Sequence, residues 1–197
     1  ATSCTDCVAG RADLDGDASS ECSVCDVGRY AAGGGTSCEE CVAGLADLDM
    51  DASTPCDVCL AGRYGAARGT ICEECVAGLA DLDMDASTPC ELCEVGSFTS
   101  GGNVSCTACD AGLADLDTDP STPCTLCGPG TFTAGGNTTC EVCEAGRADL
   151  DIDPTSPCEM CAAGQHSEAQ ATACTDSVAG SADIDSDPST SCVLCLQ

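Results

Sequence analysis

Lysine and tryptophan are absent from this chain of 197 residues, and histidine occurs once, at His166. Only two Phe and two Tyr are present. A conventional interior is filled by such large side chains, so their scarcity excludes an ordinary central core. Five Arg stand against 34 acidic residues, for a formal net charge of −29. With so little to neutralise phosphate, nucleic acid and anionic membrane surfaces are disfavoured as partners. One His and no Lys leave no acid–base pair or nucleophile outside the cysteines, so the chain is not expected to be an enzyme. No apolar run approaches the ~20 residues of a membrane-spanning helix, and no secretory leader is visible. The chain therefore reads as a mature or internal fragment of a longer protein. Asparagine is nearly missing too, at two residues.

What the chain has is cysteine, 23 residues of it, on a lattice with a period of 34 residues. Cys4, Cys38, Cys72, Cys106, Cys140 and Cys174 form one series. A second runs from Cys22 to Cys192, a third from Cys25 to Cys195, and a fourth from Cys7 to Cys143. The fourth then breaks at Ser177. Six repeats follow, with no insertions: 4–37, 38–71, 72–105, 106–139, 140–173 and an incomplete, divergent sixth at 174–197. A fixed period of this kind marks a tandem array in which each unit mainly touches its neighbours. Units this small do not fold on apolar burial alone, and cysteine at this density marks a disulfide scaffold of an oxidising, extracellular compartment. Zinc or redox use of the CxxC pairs is the competing reading. A row of eleven such pairs, with no lysine and one histidine, disfavours it.

Each repeat has two arms. The long arm reads CxxCxAGxADLDxDxSxxC, as from Cys38 to Cys56; the short arm reads CxxGxYxxxxGxxC, as from Cys59 to Cys72. Glycine and cysteine recur too often for helical periodicity, so short strands and turns are expected throughout. The fold class is thus a small disulfide-rich, elongated tandem array of short strands and turns, with little or no helix.

The short arms Cys93–Cys106 and Cys127–Cys140, each with a CxxG start and an aromatic two residues after the glycine, resemble the single-disulfide submodule of tumour-necrosis-factor-receptor-type cysteine-rich domains. They are similar also to ephrin-receptor-like cysteine-rich repeats. The resemblance implies a fold more than a function. It implies that each short arm is closed by its own bridge: Cys25–Cys38, Cys59–Cys72, Cys93–Cys106, Cys127–Cys140 and Cys161–Cys174. The long arms then close as Cys7–Cys22, Cys41–Cys56, Cys75–Cys90, Cys109–Cys124 and Cys143–Cys158. Cys4 and Cys195 would pair beyond the chain, and Cys192 is orphaned by Ser177. A ladder of adjacent CxxC pairs, Cys4–Cys22 with Cys7–Cys25 and onward, is the rival scheme. Single loops cap the axial rise at about 31 Å per repeat, whereas the ladder makes about 50 Å reachable. Closing a 15-residue loop contributes ~3 kcal/mol on a chain-entropy view. The aromatic position, Tyr30, Tyr64, Phe98 and Phe132 and then His166, is expected to cover a disulfide.

Each long arm carries an Asp-x-Asp-x-Asp run, among them Asp47, Asp49 and Asp51, and Asp81, Asp83 and Asp85. In an extended segment three carboxylates would share one face, a set of oxygen ligands that suits Ca²⁺. Leu14, Leu48, Leu82, Leu116, Leu150 and Ile184 would then face the interior. The loop lacks the glycine and glutamate of a helix–loop–helix calcium site, so a solvated acidic stripe that condenses cations weakly competes with a specific site. A third role is turn capping, in which Asp side chains accept from nearby backbone N–H groups. No other cofactor is implied.

Both asparagines lie in acceptor sequons, Asn103-Val104-Ser105 and Asn137-Thr138-Thr139, at the same place in the short arm. N-glycosylation at Asn103 and Asn137 is expected of a secreted eukaryotic chain. The Asp-Pro-Ser-Thr-Pro run nominates Ser121 and Thr122 for O-linked sugar. Together these features point to a structural segment of a secreted, glycosylated filament, stalk or surface coat. Its partners would be further repeats, identical chains in a fibre, and covalent glycans. A receptor or adhesin ectodomain that binds a protein ligand is the alternative.

Overall fold

Glycine-punctuated arms leave room only for minimal strands. In the computed structural model, which describes residues 5–195, every strand is two residues long. Eleven antiparallel pairs form, one per arm, and no helix occurs among the described residues. In the second long arm Leu45 pairs with Val58 and Ala46 with Asp57. In the second short arm Arg63 pairs with Glu74 and Tyr64 with Glu73. Ten of the pairs sit at the mouth of a loop closed by a bridge; the pair of Ser181–Ala182 with Val193–Leu194 in the sixth long arm has none.

Ten disulfides close ten arms as single loops. Long arms are closed across 15 residues, as in Cys41–Cys56, with Cα atoms 5.7 Å apart. Short arms are closed across 13, as in Cys59–Cys72, at 5.5 Å. The others are Cys7–Cys22, Cys25–Cys38, Cys75–Cys90, Cys93–Cys106, Cys109–Cys124, Cys127–Cys140, Cys143–Cys158 and Cys161–Cys174. The ladder arrangement is not adopted by these twenty cysteines. Cys192 and Cys195 are free thiols, and Cys4 lies outside the described residues.

The chain divides into two units. One runs to Leu92 and includes Ser100–Ser105; the other comprises Cys93–Thr99 and the chain from Cys106 onward. Within the first, main-chain bonds pass from arm to arm. Gly10 N–H donates to Ala31 C=O (2.8 Å), and Ala31 N–H to Ala52 C=O (3.0 Å). Gly44 N–H donates to Gly65 C=O (2.8 Å), and Gly65 N–H to Ala86 C=O (2.9 Å). Within the second, Gly112, Thr133 and Pro154 form the same relay at 2.9 and 3.0 Å, as do Gly146, Ser167 and Pro188 at 3.0 and 3.1 Å.

The buried apolar residues among those described are all alanine or cysteine: Ala12, Ala31, Ala46, Ala80, Ala114 and Ala148, with eleven half-cystines. Small side chains let the arms approach within main-chain hydrogen-bond reach. The same smallness leaves little apolar area to bury, so cross-links replace a core. The aromatic position is half-buried, and the Tyr30 hydroxyl donates to its cross-strand partner Glu39 at 2.6 Å.

Candidate functional site

The Asp-x-Asp-x-Asp loop is where the sequence placed its chemistry, and the structure gives its three carboxylates three different jobs. The first is buried: Asp47, Asp81, Asp115 and Asp149 are 4–6 % exposed. Each accepts from the backbone N–H of the glycine in the preceding short arm: Gly28 to Asp47 (3.0 Å), Gly62 to Asp81 (2.9 Å), Gly96 to Asp115 (3.0 Å) and Gly130 to Asp149 (2.9 Å). These glycines have φ between +74° and +80°. A Cβ on Gly28 would stand 2.3 Å from the carbonyl oxygen of Arg68, and on Gly62 it would stand 2.2 Å from that of Gly102. The CxxG glycine is therefore required twice, for its backbone conformation and for the close approach of the next short arm. The bond from this glycine's N–H to the aspartate carboxylate then clamps one repeat to the next.

The second and third carboxylates fold the loop on itself. Asp49 accepts from Asp51 N–H (3.0 Å) and from the Thr54 hydroxyl (2.9 Å), and Asp51 accepts from Ser53 N–H (2.9 Å). The third repeat has the same bonds on Asp83 and Asp85. The Asp51 backbone N–H and then the Thr54 hydroxyl hold the Asp49 carboxyl below the ordinary aspartate value. Asp15, Asp83, Asp117, Asp151 and Asp185 are lowered likewise, each first by the backbone N–H two residues on.

The expected orientation of this segment is thus inverted. Leu48, Leu82, Leu116 and Leu150 are 44–52 % exposed, with Leu14 and Ile184 more so, while the leading aspartate of the middle repeats is inside. The alternation rule assumes an extended segment. Here the fourth loop residue turns left-handed, at Gly16, Met50, Met84, Thr118, Ile152 and Ser186. Burying Leu48 would leave Gly28 N–H without its partner, and a buried unpaired N–H costs ~1–3 kcal/mol. The structure also does not gather Asp47, Asp49 and Asp51, or Asp81, Asp83 and Asp85, into a common ligand set. Among the described residues no group of three or more His, Cys, Asp or Glu side chains is placed to hold a metal ion. Capping is the role their bonds display.

Asn103 is exposed and Asn137 half-buried. The Asn137 side-chain amide donates to the hydroxyl of Thr133 at 2.8 Å. Their carbonyls accept from Asp81 N–H (3.0 Å) and Asp115 N–H (2.9 Å), which fixes the sequon turn against the acidic loop. Ser121 and Thr122 both lie in the loop turn, donating to Asp119 (2.7 Å) and Asp117 (3.0 Å). In the sixth repeat the Ser177 hydroxyl stands against the Cys192 sulfur, where a bridge would otherwise form. His166 is half-buried, and its Nδ1 has no partner.

Sequence reasoning did not anticipate the glycine–aspartate clamp. It reaches across 19 residues, and its only signal is that CxxG and ADxD recur with equal fidelity. No known family model matches the chain, and no curated protein matches it.

Proposed function

We propose that the chain is a structural repeat segment of a secreted, glycosylated extracellular filament, stalk or surface coat, and not an enzyme. The observation that supports this reading is the inter-repeat clamp: the best-buried carboxylates among the described residues accept from the glycine of the preceding repeat. The ten disulfides fit an oxidising compartment. Among the described residues no helix is long and apolar enough to cross a membrane. Near-identical repeats extend such an array without new interfaces, as a load-bearing or spacing element requires. The short arms keep their resemblance to tumour-necrosis-factor-receptor-type and ephrin-receptor-like repeats as a proposal of kinship in fold. Glycan on Asn103 and Asn137 would cover the sequon turns, and cations would condense on the acidic loops without a specific calcium site. Immunogold labelling of the native source, with antibody raised against the oxidised array, tests the reading. Label on fibres, stalks or a continuous coat is expected. Label on dispersed single molecules would favour the receptor or adhesin alternative.

A further inference from the structure

Solubility is not what places aliphatic side chains on this surface. The last strand residue of the long arm is Val24, Val58, Leu92, Leu126, Met160 and Leu194 in the six repeats, and each is 60–71 % exposed. The left-handed loop position adds Met50, Met84 and Ile152, at 63–69 % exposure. A large side chain in that conformation is strained by ~1–2 kcal/mol, more for a β-branched one. Gly16 and Ser186 occupy the same position, so the fold does not demand an aliphatic there.

Within the first unit these residues meet. Val42, Leu45 and Val58 of the second long arm and Met84 of the third acidic loop line an open groove of about 430 Å³, with Asp85 on its rim. Two repeats on, in the second unit, Leu126 and Ile152 line a smaller groove of about 130 Å³ with Asp149. The aliphatic pair Val58 and Met84 thus recurs as Leu126 and Ile152. We propose that the Val58–Met84 groove and its counterpart dock a segment of a partner protein that carries aliphatic side chains flanked by lysine or arginine.

Charge selects this occupant. The chain carries −29. Of its five Arg, Arg29 and Arg68 are already paired with Glu40, and Arg63 with Glu74. Arg11 and Arg147 donate to the Cys22 and Cys158 carbonyls, so among the described residues no arginine is paired with the acidic loops beside the grooves. A second copy brings the same −29 and is repelled, whereas a basic segment gains attraction along with apolar burial. The inference stands apart from whether the array forms filaments.

Fluorescence anisotropy with the full oxidised chain tests it. Three labelled 12-residue probes are compared: lysines flanking a Leu-Val pair, the same lysines flanking Gly-Gly, and glutamates flanking Leu-Val. The variant Val58→Ser, Met84→Ser, Leu126→Ser, Ile152→Ser removes both aliphatic pairs at exposed positions. The lysine/Leu-Val probe should bind at least tenfold tighter than either other probe and lose at least tenfold in the variant. Equal binding of the two lysine probes, or no loss in the variant, overturns the proposal by reducing the contact to bulk charge. Equal or tighter binding of the glutamate probe overturns the charge argument. Self-association by sedimentation velocity that the variant abolishes would assign the grooves to a second copy. A benzophenone at the Leu position gives a readout on the unmutated chain. Adducts on Val58, Met84, Leu126 or Ile152 support the site, and adducts elsewhere only refute it.

Discussion

A single glycine hydrogen decides whether consecutive short arms can touch. Gly28 lies at φ +75° with the Arg68 carbonyl against its Cα, and Gly28→Ala adds both a left-handed penalty and a backbone clash. The expected cost is about 3 kcal/mol, from overpacking plus backbone strain. Native-state hydrogen exchange of the Gly10–Ala52 region should register it as lost protection. The clamp partner behaves differently by substitution. Asp47→Ala leaves the Gly28 N–H buried and unpaired, at ~1–3 kcal/mol, while Asp47→Asn keeps an acceptor and should cost well under half as much. Equal loss of protection in both would mean that the side chain fills space and does not clamp. At the loop tip the sign reverses. Ile152→Gly relieves a β-branched residue at φ 57° and should stabilise the fifth acidic loop by ~1 kcal/mol, read as slower exchange of its amides.

The arm is the unit in which acid should act. Asp49, Asp83, Asp117 and their equivalents are held below the ordinary carboxyl value by the backbone N–H two residues on, then by a hydroxyl. A depressed folded value means that the loop's bonds add stability fully above the unfolded value of ~3.9 and lose it as pH falls through the lower, folded value. Exchange protection of Asp51, Ser53, Asp85 and Ser87 amides should therefore be flat from neutrality down to about pH 4–5 and decline only below that. A decline already centred near pH 6 would show that the capping bonds are not what orders the loop. The arm is also where the sequence was partly opaque. Cysteine spacing made the repeats, the two arms and the absence of helix legible, because cross-link positions tolerate no slippage. It left two pairings open, since CxxC keeps both sulfurs near either partner. The polarity of Asp47 and Leu48 was misread because alternation holds only for extended backbone. The turn that breaks it is disguised as methionine in two repeats and announced by glycine only at Gly16. The bond from Gly28 to Asp47 joins residues that nothing in the local sequence pairs.

At the scale of the molecule, cohesion should fail on reduction, because alanine and half-cystine are all the buried apolar residues the described chain has. Full reduction and alkylation should abolish circular-dichroism structure and protease resistance together, as ordering costs ~1–2 kcal/mol per residue with little burial to offset it. Tension resolves the same dependence bridge by bridge. With single loops closed, the covalent path through one repeat crosses two bridges of ~5.5 Å and two CxxC segments of at most ~10 Å, about 31 Å in all. In an oxidised array under tension, each repeat closed by two bridges therefore yields no further than about 31 Å. Once a reductant is admitted under force, each long-arm bridge frees 15 residues and each short-arm bridge 13. At ~3.6 Å per residue less the bridge, the extension steps should fall into two classes, about 48 Å and about 41 Å, in equal numbers. The sixth repeat should contribute no long-arm step, because Ser177 stands opposite Cys192 and no bond is there to cut. Steps of other sizes, or extension of the oxidised chain well past 31 Å per repeat, would contradict the single-loop pairing. Restoring the missing sulfur by Ser177→Cys should add one 48 Å step and slow exchange in the sixth long arm, since the two side chains already face each other across the closed loop.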